Sequence, residues 1–136
     1  MGTINKENIS DFLKSIIVCD EFNKEFLRVL KSLDDKKSFY KLLCKQKSFI
    51  DLNDKVLLQN ANTNELLKST GMDVDCYSLH LESNSFSIRI LGAYYQDDFV
   101  MLCIFNERTT KYSSHIKDAN VRFRNYIENR KGEKNE

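Results

Sequence analysis

With 136 residues, 41% hydrophobic and 30% charged side chains and a formal net charge of +1, the chain reads as a single globular domain able to bury its own core. That composition excludes a disordered chain, and no apolar run approaches the roughly 20 residues of a membrane-spanning helix. The four cysteines, Cys19, Cys44, Cys76 and Cys103, lack the CxxC spacing of zinc knuckles and redox sites. They are expected to be buried free thiols, with no metal and no cofactor, in a reducing compartment. Met1 to Glu7 shows no basic-then-apolar signal layout, and Lys6 spoils a myristoylation start, so a cytoplasmic location is expected.

In chain order, Ile9, Phe12, Leu13, Ile16 and Ile17 fall at helical spacing over Glu7 to Ile17. Ile16 to Cys19 is also a β-branched run that could be a strand, and the two readings overlap. Asp20 to Leu33 predicts a helix with Phe22, Phe26, Leu27, Val29, Leu30 and Leu33 along one stripe. Asp34-Asp35 breaks it and caps a second helix, Lys36 to Gln46, with Phe39, Leu42 and Leu43 inward. So short a link suggests an antiparallel hairpin.

Asn53, Asn60 and Asn62 bracket Val56-Leu57-Leu58, a short helix or a loop. Asn62 to Thr70 predicts a short helix stopped by Gly71. Asp75 to Leu81 has strand character, Ser83-Asn84-Ser85 turns it into a strand from Phe86, and Gln96-Asp97-Asp98 turns that into Phe99 to Phe105. A last helix runs from Ser113 to about Asn129, followed by a frayed polar tail over 130–136. The sum is an α+β domain: an N-terminal helical hairpin on a small, three- to four-stranded, mainly antiparallel sheet with a C-terminal helix. The segment 1–15 reads as an extension and about 48–75 as an insertion.

The chemistry concentrates near the end. Arg89 sits mid-strand between Ile88 and Ile90, so it projects from the opposite face, with Ser87 and Leu91 on its side. Arg108, Lys111 and Tyr112 follow the next strand, and His80 and His115 are near. From Arg108 to Arg124 the cations Arg108, Lys111, Lys117, Arg122 and Arg124 face Asp118 alone, a local positive stretch suited to phosphates. Cutting RNA without a metal needs a base for the 2′-hydroxyl, a fixed cation for the phosphorane and an acid for the leaving oxygen. Arginine suits the second task because its fork meets two oxygens and keeps its charge. Each residue also has a plainer reading. A strand arginine is more often solvated or salt-bridged, His80 more often structural, Tyr112 as readily a packing residue, and a basic helix face usually just solvated.

Phe86 to Tyr126 resembles the C-terminal part of the RelE/ParE toxin superfamily, particularly its RelE and HigB-like branch. The resemblance rests on Ile88-Arg89-Ile90, the Gln96-Asp97-Asp98 turn, Val100 to Phe105, Phe105-Asn106-Glu107-Arg108-Thr109, and Ile116 to Arg124 with Ala119. Ile16 to Leu33, with Phe22 and Phe26, is similar to the family's first strand and helix. The resemblance implies a toxin of a type II toxin–antitoxin system. Such a toxin is a metal-independent endoribonuclease that cleaves mRNA, usually in the ribosomal A site, and is silenced by a cognate antitoxin. It implies Arg89 on the scissile phosphate, Arg108 as loop cation, Tyr112 as the aromatic, and His80 or Lys111 in the remaining proton or phosphate role. Lys117, Arg122, Arg124 and His115 would extend the RNA-binding face. The chain departs from the family in its size, its near neutrality and Glu107 where a lysine or small residue is common. A non-catalytic member of the same fold is the alternative, either a ParE-type gyrase inhibitor or a protein-interaction module.

The nuclease expectation requires Arg89 and the Arg108–Tyr112 group to share a nucleotide-sized pocket. An arginine committed to an internal carboxylate would count against it.

Overall fold

The computed structural model describes residues 16–60, 64–67, 70–108 and 112–134. Most of the helix expected over Glu7 to Ile17, and the extension over 1–15, lie outside the described residues. Of the run Ile16 to Cys19, Ile17 and Val18 form a strand, as the strand reading expects.

Among the described residues five strands form one mixed sheet: Ile17–Val18 (β1), Glu65–Leu67 (β2), Cys76–Glu82 (β3), Ser87–Tyr95 (β4) and Asp98–Asn106 (β5), in the order β1-β5-β4-β3-β2. Helices Asp20–Ser32 (α1), Lys36–Asp51 (α2) and Lys55–Asn60 (α3) lie between β1 and β2, and Tyr112–Lys134 (α4) closes the chain. The α+β class and the C-terminal helix are as expected. The sheet is larger, and one pairing is parallel, with Ile17 opposite Val100 and Val18 opposite Met101.

Acidic Asp20 and Glu21 in the first turn of α1 and Lys31 in its last suit the helix dipole. Phe22, Phe26 and Leu30 are buried, whereas Leu27, expected in the same stripe, is 54% exposed. The Asp35 carboxylate caps α2 by accepting the Ser38 N–H at 3.0 Å. The helix runs to Asp51 rather than stopping at Gln46. The hairpin expectation holds only roughly: α1 packs chiefly on β5 and α2 on β3. Each helix buries its apolar stripe on the sheet. A chain of rings, Phe22–Phe26–Phe39–Phe86, joins the layers at centroid separations of 6.0, 6.0 and 5.9 Å.

The helix expected over Asn62 to Thr70 is replaced by β2. Local helix propensity loses there to the open edge of β3, which offers Glu65, Leu66 and Leu67 partners in Ser78, Tyr77 and Cys76. Gly71 does adopt positive φ, at +84°, but in the bend between β2 and β3 rather than at a helix end. A Cβ there would lie 2.7 Å from Asn120 Nδ2, so α4 also needs this residue small.

The β4–β5 hairpin turns at Gln96-Asp97, with Gln96 at φ +57°. A bulge opposite Leu91/Gly92 leaves Leu102 as the extra residue of β5, since Leu91 faces Cys103 and Gly92 faces Met101. Gly92 is required by close approach: a Cβ would meet the Phe99 ring at 2.5 Å and the Val100 carbonyl at 2.8 Å.

Beyond the bulge the two sheet faces take different helices. Ile88 and Ile90 look toward α1 and α2. The opposite face carries α4, with Tyr95 edge-on to Phe123 and Tyr126, and Phe105 against Tyr112 and His115. Helix α4 continues to Lys134, past the point where a frayed tail was expected at Arg130. Cys19, Cys76 and Cys103 are buried as expected, but Cys44 is exposed on α2. Among the described residues no helix is long and apolar enough to cross a membrane.

Candidate functional site

Strand register assembles the site. Arg89 on β4 lies opposite His80 on β3 and Phe105 on β5, so these three side chains share the α4 face. Ser87 is two residues from Arg89 on the same side, and Ser78 is likewise two residues from His80 along β3. Tyr112, the first residue of α4, hydrogen-bonds through its hydroxyl to Ser78 Oγ. Arg89, His80 and Tyr112, grouped from the sequence, are therefore neighbours.

They are not presented as an open pocket. Arg89 and His80 are buried, with 6% and 7% exposure. Arg89 Nε lies 3.3 Å from Glu107 Oε2, and Nη2 lies 3.5 Å from Glu65 Oε1. The other Glu107 oxygen accepts the Ser87 hydroxyl at 2.7 Å and stands 3.2 Å from His80 Nε2. Glu82 Oε2 is 3.7 Å from the same nitrogen. Two carboxylates thus flank the guanidinium, and a third, Glu82, lies against the neighbouring imidazole. The strand arginine is engaged by its own chain, and the local field is negative where a phosphate would have to sit.

The protonation states follow. Burial, reinforced by the Arg89 charge, pulls the His80 pKa below its ordinary value, and the three glutamates only partly oppose this. His80 is therefore neutral near pH 7. Burial pushes the Glu107 carboxyl up, but the Ser87 hydroxyl and the Arg89 charge outweigh it, and the net shift is downward. Burial raises Tyr112 against the opposing Ser78 hydrogen bond, so it stays a phenol.

A serine, a histidine and a glutamate so close invite comparison with a nucleophile triad, and the geometry rejects it. The Ser87 proton goes to Glu107, so its oxygen accepts from His80 Nε2 at 3.0 Å. A triad needs the histidine to take the serine proton while its other nitrogen faces the acid. Here one nitrogen faces both.

The other expected residues are dispersed. Arg108 is exposed in the turn after β5, its backbone N–H on Asn106 Oδ1 at 3.0 Å. Lys111 lies outside the described residues. His115 stacks on Phe105 at 3.9 Å with the rings 3° from parallel, and burial lowers its pKa. Arg122 turns inward to Glu25 at 2.7 and 3.0 Å, and to the bulged Leu102 carbonyl at 2.8 Å. Lys117 and Arg124 alone of the expected RNA-binding set stand exposed on α4. A cleft of about 630 Å³ between the start of α1 and the end of α4 is lined by Val18, Glu21, Tyr126 and Arg130, and does not include the Arg89 cluster.

Sequence reasoning treated Glu107 only as a loss of positive charge and did not single out Glu65 or Ser78. Ser87 was legible by alternation. Nothing local marks Glu65, because its approach to Arg89 depends on β2 adding to the sheet edge.

No model of a protein family, no curated protein and no solved structure matches this chain.

Proposed function

We propose that the chain is a toxin of the RelE/ParE type, partnered by an antitoxin in the cytoplasm, and that it acts by binding a macromolecular target rather than by cutting RNA. The order of elements supports the type: a strand and helices, then a meander with a mid-strand arginine, a polar turn and a closing helix. The binding mode rests on one observation, the commitment of Arg89 to Glu107 and Glu65. Phosphoryl transfer on RNA needs that cation facing a phosphate, and the two glutamates on it, with Glu82 beside His80, disfavour any anion. Among the modes open to this scaffold, inhibition of gyrase needs no proton-moving groups and is compatible with a closed cluster.

A second reading is the metal-independent mRNA endoribonuclease, acting at the ribosome. It is favoured by the gathering of a guanidinium, an imidazole, a phenol and a carboxylate on one sheet face, the chemical kinds such cleavage uses.

Short induction of the wild type and of Arg89→Ala, followed by primer extension on messages and a supercoiling assay with gyrase, separates the readings. Slowed growth without new message ends is expected, with a comparable effect from the folded variant. New 5′ ends made by wild type and lost in Arg89→Ala would replace the first reading with the second. Absence of any growth effect would remove both.

A further inference from the structure

The Glu107 carboxylate is held in a way that suggests a seat for an anion. Its oxygens accept from Ser87 Oγ at 2.7 Å and Arg89 Nε at 3.3 Å on β4, and lie 3.2 Å from His80 Nε2 on β3, whose proton goes to Ser87. The backbone that carries these side chains is fixed without it. Ser87 and Arg89 are strand residues of β4, and His80 is locked in β3, where its N–H goes to Asn64 Oδ1 at 2.8 Å and its carbonyl to Gln46 Nε2 at 3.0 Å.

Exposure shows the direction of access. The side chains of Arg89 and His80 are 8% exposed, whereas that of Glu107 is 26% exposed, so the carboxylate stands between the donors and solvent. Its main chain is anchored separately, the Glu107 N–H on the Ser87 carbonyl at 3.1 Å. The side chain can therefore leave while the backbone stays. Glu65 and Glu82, more than half exposed at the rim, add charge but do not fill the position.

We propose that Glu107 is an internal plug: its carboxylate occupies an oxyanion seat formed by Arg89, His80 and Ser87, and keeps phosphate groups out of it. This rests on the reading that Arg89 holds no substrate in the wild-type chain, and it supplies the device responsible.

The test uses the whole chain and inorganic phosphate, followed by NMR shifts of the Ser87 and Arg89 amides. Glu107→Ala empties the seat, Glu107→Gln removes the charge but leaves an amide in place, and Glu65→Gln removes only a rim charge. A plug predicts phosphate binding in Glu107→Ala tighter than wild type by roughly tenfold or more, as expected when a charge-assisted contact becomes available. Glu107→Gln should gain less, and Glu65→Gln almost nothing. Equal gains in all three variants would mean bulk charge alone excludes phosphate and would overturn the plug. No gain in a Glu107→Ala protein with native-like amide dispersion would overturn the seat itself. A short single-stranded RNA in a parallel titration distinguishes a phosphodiester from the free ion. RNA cleavage by the wild type would instead overturn the reading beneath this one, so the two failures are distinct.

Discussion

Gln46 and Asn64 exchange two hydrogen bonds inside the protein, Gln46 Nε2 to Asn64 Oδ1 at 2.8 Å and Asn64 Nδ2 to Gln46 Oε1 at 2.9 Å. The same amides serve the backbone: Asn64 accepts the His80 N–H and donates to the Leu58 carbonyl, while Gln46 donates to the His80 carbonyl. Two buried side chains thus carry the β3 ladder past the end of β2 and tie α2 and α3 to the sheet. Asn64→Ala strands the buried His80 N–H and should cost about 1–3 kcal/mol. Urea denaturation measures this, and hydrogen exchange at His80 should quicken. A variant as stable as wild type would show that another group satisfies that N–H.

Arg122 and Glu25 join α4 to α1 through two short contacts, with Arg122 also on Leu102, and both side chains are largely buried. Glu25→Ala leaves a desolvated guanidinium, whose pKa the Glu25 hydrogen bond otherwise raises against burial. Loss of one partner from such a pair should cost about 3 kcal/mol. Replacing both, as in Glu25→Leu with Arg122→Met, should recover most of it. Failure of the double replacement to recover would point to the Leu102 carbonyl as the main loss.

Thiol chemistry should divide the cysteines. Cys44 is exposed, whereas burial raises the thiols of Cys19 and Cys103, and that of Cys76 to about 12. Folded protein is expected to release one equivalent of chromophore with a thiol reagent, and denatured protein all four. Rapid reaction of a second thiol in the native state would contradict the packing around the bulge.

Acid should weaken the fold in two stages. His80 and His115 have folded pKa values below the ordinary value of about 6.5, chiefly because burial disfavours the imidazolium. The unfolded chain then binds more protons, so their contribution is complete above pH ~6.5 and is lost as pH falls through the folded values. Glu107, also lowered, adds a further loss below its ordinary value of about 4.3. Urea midpoints near pH 7.5, 6 and 5 should decline, and His80→Gln should flatten the first part. Stability that rises on acidification would mean that His80 is charged against Glu107 in the folded state.

Periodicity and turn chemistry were enough for α1, the start of α2, the β3–β4–β5 meander and the C-terminal helix, because those elements follow from residues close along the chain. The same alternation placed Ser87 beside Arg89. It failed at 62–70, where Glu65 to Leu67 read as helix in isolation and pair as a strand only because β3 has an edge to fill. It also failed at Leu27 and Arg122, whose helical positions are right but whose surroundings come from elements far along the chain.

The candidate site divides along the same line. The sequence by itself singled out Arg89, His80 and Tyr112 as carriers of chemistry and put Ser87 on the side of Arg89, since strand parity is a local property. Whether that face is open was decided only by the tertiary structure. Glu65 lies 24 positions before Arg89 and Glu107 lies 18 after it, and only the assembled sheet brings both carboxylates onto one guanidinium.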